Sequence, residues 1–365
     1  MRLIFITRKV DKNDPRAGFV YYWLEKLAKK LDKLIVICQE KGDTAGLPKN
    51  IEIFSFGKDK GYGKLRQCVA FKLLLLKHIR KTNGVFAHMM PIYSIVAGPF
   101  CKIFNKKLVQ WYMHRSVDWR LKFANLFVSE FATASKMSFR LKTKKKINIL
   151  GHGIDISRFA PISQPKADQP LAGNFHPAAA GPNSKFQILT VGRISPSKDI
   201  ESMIKAVYEL KEEGMDNIKL TIVGGIGLAK QQIYLDNLKN MVSKMNIENQ
   251  VEFIGSVPHA KIPEFYQNSD LFLNLSDTGS LDKAVLAAMS AECLPITSNE
   301  AFENILQAYL MTAKDKPQEL AKKIKWAINL SQEQRTEIVK PLRQEIANNH
   351  NLDKLVDKII RLYES

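Results

Sequence analysis

Short β-rich apolar runs alternate with helically spaced stretches along most of this chain, and that alternation restricts its fold more than any other feature. LIFITRKV (3–10), LIVICQ (34–39), IEIFSF (51–56), GVFAHM (84–89), KLVQWYM (107–113) and INILG (147–151) are predicted strands, with helices between most of them. FVYYWLEKLAKKL (19–31) has helical spacing, which puts Phe19, Trp23, Leu27 and Leu31 on one face. A second series follows in FQILTVGR (186–193), KLTIVGG (219–225), VEFIGSV (251–257), DLFLNLS (270–276) and CLPITSN (293–299). Helices are predicted near 199–213, 230–245, 260–268 and 281–291. Strand–helix alternation implies a parallel sheet covered on both faces. The expected fold class is α/β with two Rossmann-like domains, and 365 residues suffice for both.

Residues 161–185, PISQPKADQPLAGNFHPAAAGPNSK, hold five of the chain's 15 prolines and almost no large apolar side chain, so they are expected to be a linker or a loop insertion. The predicted layout is an N-terminal domain over 1–160, this linker, a second domain over 186–345 and an amphipathic C-terminal helix within 346–365. Open α/β sheets place ligands at the carboxyl ends of their strands, so the functional site is sought there.

Charge divides the chain. Residues 1–160 carry 32 Lys and Arg against 11 Asp and Glu, a balance of +21, whereas the remainder stands at −2. The basic half is expected to face something anionic. LRQCVAFKLLLLKHIRKT (65–82) mixes apolar residues with Lys72, Lys77, Arg80 and Lys81, and RLKTKKK (140–146) adds a second cluster. The first stretch fits a membrane-surface helix, or else a Leu-rich core helix with basic ends. Nucleic acid is not expected as a partner, because the basic half lacks a recognition motif or aromatic interleaving. No apolar run approaches the roughly 18 residues of a membrane span. The opening MRLIFITRKVDKND has too short an apolar run for a signal peptide, and Cys38, Cys68, Cys101 and Cys293 lie far apart. These features point to a cytoplasmic protein with reduced thiols and no bound zinc, and the basic half to peripheral binding at an anionic membrane surface.

Several motifs stand at predicted strand ends. In VGRISPSKD (191–199), Gly192 lets the backbone approach a ligand, and Arg193 and Lys198 are spaced to clamp a diphosphate. Gly224 in TIVGGIGLAK and Gly255 with Val257 in VEFIGSVPHA again follow strands. TGSLDK then opens a helix whose positive end suits a phosphate or a sugar hydroxyl.

As a set, GHGIDISRF (151–159), VGRISPSKD, VEFIGSVPHAKIPEFYQNSDLFLNLS and TGSLDKAVLAAMSAECLPITSN resemble the retaining nucleotide-sugar glycosyltransferases of family 4 (group 1), which have the GT-B fold of two facing Rossmann-like domains. The resemblance covers most of 147–300 and implies a C-terminal helix that returns to the N-terminal domain. It makes residues 1–160 the acceptor-binding domain and 186–345 the donor-binding domain. It implies a hexosyltransferase that takes a UDP- or GDP-sugar, needs no other cofactor and modifies a glycan or lipid-linked acceptor in cell-envelope polysaccharide biosynthesis. Arg193 and Lys198 would hold the donor diphosphate, with Gly18, Gly192, Gly224, Gly255, Val257, Gly279, Ser280, Leu281 and Lys283 around the donor. His114, a catalytic candidate, falls where the family often has a cleft histidine near the donor sugar, and His88 and Arg115 would lie on the acceptor side. No D-x-D occurs to hold a divalent metal, so metal-independent transfer is expected.

Two departures stand out. In the family's E-x7-E pair the first Glu corresponds to Gly279, as is common in the TGSLDK variant of the motif, but the second corresponds to Ala287, and Glu292 occupies a position where the family generally has glycine. Ala287 cannot accept hydrogen bonds from a donor ribose, at a cost of roughly 1.5–3 kcal/mol in donor binding. This predicts weakened or lost catalysis, whether the residue was replaced or is natural. The alternative function is a non-catalytic GT-B-like protein that binds a sugar nucleotide or an anionic glycan.

Overall fold

The computed structural model describes residues 1–162, 185–277 and 279–364, so the predicted linker lies almost wholly outside the described residues, as does Thr278. The chain divides into two compact units, the first built from residues 1–155, 258–260 and 349–365, the second from 156–257 and 261–348.

Unit 1 runs β1 (Arg2–Val10), α1 (Gly18–Ala28), β2 (Lys33–Lys41), β3 (Ile51–Ser55), α2 (Lys64–Ile79), β4 (Gly84–His88), α3 (Pro91–Ile103), β5 (Lys107–Trp111), α4 (Trp119–Ala124), β6 (Glu130–Thr133) and β7 (Ile147–Ile149). The strands form one parallel sheet in the order β3-β2-β1-β4-β5-β6-β7. Successive residues of β1 point to opposite faces. Leu3 and Phe5 join a core with Trp23, Leu24, Leu27 and Trp111, while Ile4 and Ile6 join a second core with Phe71, Leu75, Val85 and Ala87. Burial on both faces explains why this strand is an uninterrupted apolar run. β6 escapes the sequence pattern, since four residues pairing between β5 and β7 are too few to show a period.

Unit 2 runs β8 (Phe186–Val191), α5 (Ile200–Glu212), β9 (Ile218–Val223), α6 (Gln232–Lys244), β10 (Val251–Gly255), α7 (Ile262–Gln267), β11 (Leu271–Asn274), α8 (Lys283–Ser290), β12 (Leu294–Thr297), α9 (Pro317–Ile328) and α10 (Gln332–Glu345). Its parallel sheet has the order β10-β9-β8-β11-β12. The order reverses between β8 and β11, and such a switch point leaves a crevice at the strands' carboxyl ends. Two sheets of this type make the two-domain α/β architecture of the GT-B fold.

The chain then returns to unit 1 through α11 (Leu352–Arg361). Leu352, Leu355, Val356 and Ile359 enter the Trp23 core, and Lys26 pairs with Asp353 at 3.0 Å. Tyr363 donates its hydroxyl to the Val85 carbonyl at 2.8 Å.

α8 ends in a strained residue. Glu292 has φ +57°, the left-handed region. Its N–H reaches the Met289 carbonyl at 3.3 Å and that of Cys293 reaches Ala288 at 3.0 Å, the paired bonds of a Schellman ending. The glycine usual at this position would adopt that φ without a Cβ penalty. Glu292 recovers a little through a long contact with Arg343, 3.7 Å from Nε to Oε1, between two partly exposed side chains. Glu292→Gly is therefore expected to raise unfolding stability by about 0.5–1 kcal/mol in chemical denaturation. A lower stability would mean that the Arg343 contact outweighs the backbone strain.

Candidate functional site

In unit 2 the loops after β8, β9 and β10 are stitched to one another by main-chain hydrogen bonds. Gly192 donates its N–H to the Val223 carbonyl at 2.9 Å, Ile194 to Gly225 at 3.1 Å and Gly224 to Gly255 at 2.9 Å. Close approach demands glycine at the centre. Gly224 has φ +143°, and a Cβ there would lie 1.7 Å from the Gly192 carbonyl oxygen. Gly255, at φ +79°, turns the chain out of β10 towards the half-buried Val257.

Beyond Gly192, Arg193 is exposed on the loop, and the 3-10 turn Pro196–Lys198 carries Lys198, which is half-buried. Asp199 follows with φ +45° and caps α5, accepting from the Ser202 N–H at 3.3 Å and, through its other oxygen, from Asp315 N–H at 2.9 Å. The cap fixes where the turn ends and so where Lys198 emerges.

Across the switch point, β11 leads into the segment before α8. Gly279 has φ +58°, Leu281 is buried, and Asp282 precedes the helix. Lys198 Nζ lies 2.9 Å from Asp282 Oδ2. The same oxygen accepts from Ser276 Oγ at 2.5 Å and from Asn274 Nδ2 at 3.2 Å. Asn299 donates its side-chain amide to the Ser280 carbonyl at 2.9 Å, and its main-chain N–H reaches Thr297 Oγ1 at 3.1 Å. Ser276, Ser280 and Asp282 are thus tied to β11 and to the end of β12. Lys283 opens α8, and burial pulls its ammonium down from 10.5 to about 7. Ala287 is buried one turn further along.

Gly192, Arg193, Lys198, Gly224, Gly255, Val257, Gly279, Ser280, Leu281, Lys283 and Ala287 therefore all belong to unit 2. Gly18, His88, His114 and Arg115 belong to unit 1. Gly18 heads α1 and donates its N–H to the Asp14 carbonyl at 2.9 Å. His88, the last residue of β4, is buried with Nδ1 3.2 Å from Thr7 Oγ1 and its ring against Phe5 and Trp23. His114 is exposed beyond β5, its ring edge-to-face with Tyr112 at 5.6 Å, and Arg115 beside it is half-buried.

Sequence reasoning overlooked two features. Asn274, Ser276 and Asp282 form the polar network beneath Lys198, and the polar residues at alternate positions closing the apolar LFLNLS run were the available signal. Met89, directly after His88, has φ +70°, a conformation a non-glycine residue holds only where its surroundings impose it; nothing in the sequence marks it. Among the described residues no group of three or more His, Cys, Asp or Glu is arranged to hold a metal ion.

Residues 174–345 match the family model described as glycosyl transferases, group 1. The match covers just under half of the chain and spans the whole switch-point site. It supports a group 1 glycosyltransferase. Among curated relatives, the chain is 22% identical over 179 residues to the alpha-monoglucosyldiacylglycerol synthase of Streptococcus pneumoniae, covering 49% of this chain and 38% of that protein. It is 27% identical over 161 residues to the amylovoran biosynthesis glycosyltransferase AmsK of Erwinia amylovora, covering 43% and 34%. The chain spans less than half the length of the curated relatives it matches first. A solved structure of Anabaena Alr3699/HepE in complex with UDP superposes with a TM-score of 0.73 at 17% identity, covering all of both chains. At that identity the likeness shows the fold alone.

Proposed function

We propose that this protein is a retaining glycosyltransferase of the family 4 type that moves a hexose from a UDP- or GDP-sugar to a glycan or lipid-linked cell-envelope acceptor. The observation that carries this reading is the position of Lys198, held beside the start of α8 at the topological switch point of unit 2. An ammonium and the positive end of a helix are what a departing diphosphate needs as its bond to the sugar breaks. Arg193, exposed on the same loop, adds a second cation. In this reading these groups supply the positive charge without a metal, and the leaving diphosphate takes the proton of the incoming acceptor hydroxyl on the same face of the sugar. The loops around Gly224 and Gly255 offer main chain to the nucleotide, and Gly279, Ser280 and Leu281 to the sugar. His114, His88, Arg115 and Gly18 are assigned supporting roles towards the acceptor and donor. The group 1 match and the UDP carried by the Anabaena structure support a nucleotide-sugar donor.

Ala287 favours a second reading, a protein that binds a sugar nucleotide without turning it over. A methyl group accepts no hydrogen bond from a ribose, and the site lacks the carboxylate that the family places there. Calorimetric titration with UDP- and GDP-sugars separates the two. Lys198→Ala should weaken donor binding by about 10- to 100-fold while leaving thermal unfolding nearly unchanged. Ala287→Glu should tighten binding by a similar factor and raise transfer or donor hydrolysis. Tighter binding without any turnover selects the non-catalytic binder, and an unchanged affinity in Lys198→Ala removes the phosphate clamp.

The acceptor side is proposed to work at an anionic membrane surface inside the cell. α2 supports this. Its Phe71, Leu75, His78 and Ile79 are buried, yet Leu65, Val69, Leu73 and Leu76 are 81%, 50%, 60% and 44% exposed. Their spacing places them along one outward stripe, bordered by exposed Lys64, Lys72, Lys77 and Arg80. An apolar stripe within a basic border suits the interface of an acidic leaflet. Among the described residues no helix is long and apolar enough to cross a membrane. Sedimentation with vesicles containing phosphatidylglycerol should pull the protein down at low salt and release it at high salt. Leu65→Ser/Leu73→Ser should lose most of that binding, and failure of the parent protein to bind at low salt would refute the surface.

A further inference from the structure

Asp282 stands at the N-cap position of α8, where an aspartate ordinarily accepts a hydrogen bond from the second or third N–H of its helix. Here it makes no such cap bond. Its Oδ2 is instead occupied by Lys198, Ser276 and Asn274. The carboxylate thus forgoes its local partner and turns Oδ2 towards the cation assigned to the phosphate clamp.

Resting on the donor-site reading above, we infer that Asp282 is a positioning residue that holds the Lys198 ammonium at the mouth of α8 while no diphosphate is bound and takes it back when the nucleoside diphosphate departs. Ser276 and Asn274 fix the carboxylate from below, so the ammonium meets a pre-set partner rather than searching solvent. A diphosphate must share or displace this ion pair, which limits how tightly the product is retained. Both side chains are partly open to water, 16% and 21% exposed, which leaves the exchange modest in energy and fast.

A double-mutant cycle tests this with UDP and GDP as probes on the full chain. Affinity is read by calorimetry and dissociation by surface plasmon resonance, for the parent, Lys198→Ala, Asp282→Asn and the pair. Asp282→Asn should bind the diphosphates about 3- to 10-fold more tightly, with the gain in slower dissociation. In the Lys198→Ala background the same change should alter affinity by less than about 2-fold. An equal gain in both backgrounds would overturn the proposal, because Asp282 would then act on the phosphate without Lys198. Weaker binding by a normally folded Asp282→Asn would overturn it too. Should Asp282→Asn fail to fold, Asp282→Ser keeps a short capping side chain and takes its place. If Lys198→Ala binds like the parent, or the parent binds neither probe, the donor-site reading itself fails and this inference falls with it.

Discussion

β8 is hydrogen-bonded in parallel to β9 on one side and to β11 on the other, and the rest of unit 2 follows from that double pairing. Parallel pairing sends all of their carboxyl ends to the same edge, and the reversal of strand order opens a gap between the loops that leave β8 and β11. The loop from β8 carries Arg193 and Lys198, and the one from β11 carries Ser276 to Asp282. Residues 84 positions apart therefore meet across a single ion pair. Glycines make the gap usable. A Cβ at 224 would drive the β9 loop into the Gly192 carbonyl of the β8 loop before a ligand arrived.

Three residues of the α8 segment have different physical weights. Glu292 in place of glycine affects only the end of α8, where it strains one residue's backbone but leaves the Schellman bonds intact. Ala287 leaves the backbone of the helix unstrained and removes an acceptor that we assign to donor binding. Asp282 adds a carboxylate that works on Lys198 rather than on its own helix. The first of these bears on stability, the second on affinity and the third on how the cation is presented.

Much of the architecture was legible in the sequence because parallel strands buried on both faces are written as continuous apolar runs, as in Leu3–Ile6 or Leu271–Leu273. The short β6 was not, since four residues carry no readable period. The glycines at 192, 224 and 255 were legible as strand-end turns, but the contact of Gly224 with the Gly192 carbonyl depends on tertiary approach and has no local signature. For α2 neither expectation was complete: one face is core, as a Leu-rich helix suggests, and the other is an exposed apolar stripe, as a surface helix requires. Composition cannot separate these, because the direction of a leucine depends on what packs against its helix. The Asp282 network was hidden for a related reason. Asn274 and Ser276 close an apolar strand, but only folding brings Lys198 above them.

The central claim is that a nucleoside diphosphate binds unit 2 at the carboxyl ends of β8, β9 and β11. Hydrogen–deuterium exchange with and without saturating UDP or GDP tests it most directly. Slower exchange confined to the amides of residues 192–199, 224–227 and 279–285 is the predicted result. Unchanged exchange in all three segments, with protection appearing instead elsewhere in the chain, would contradict it.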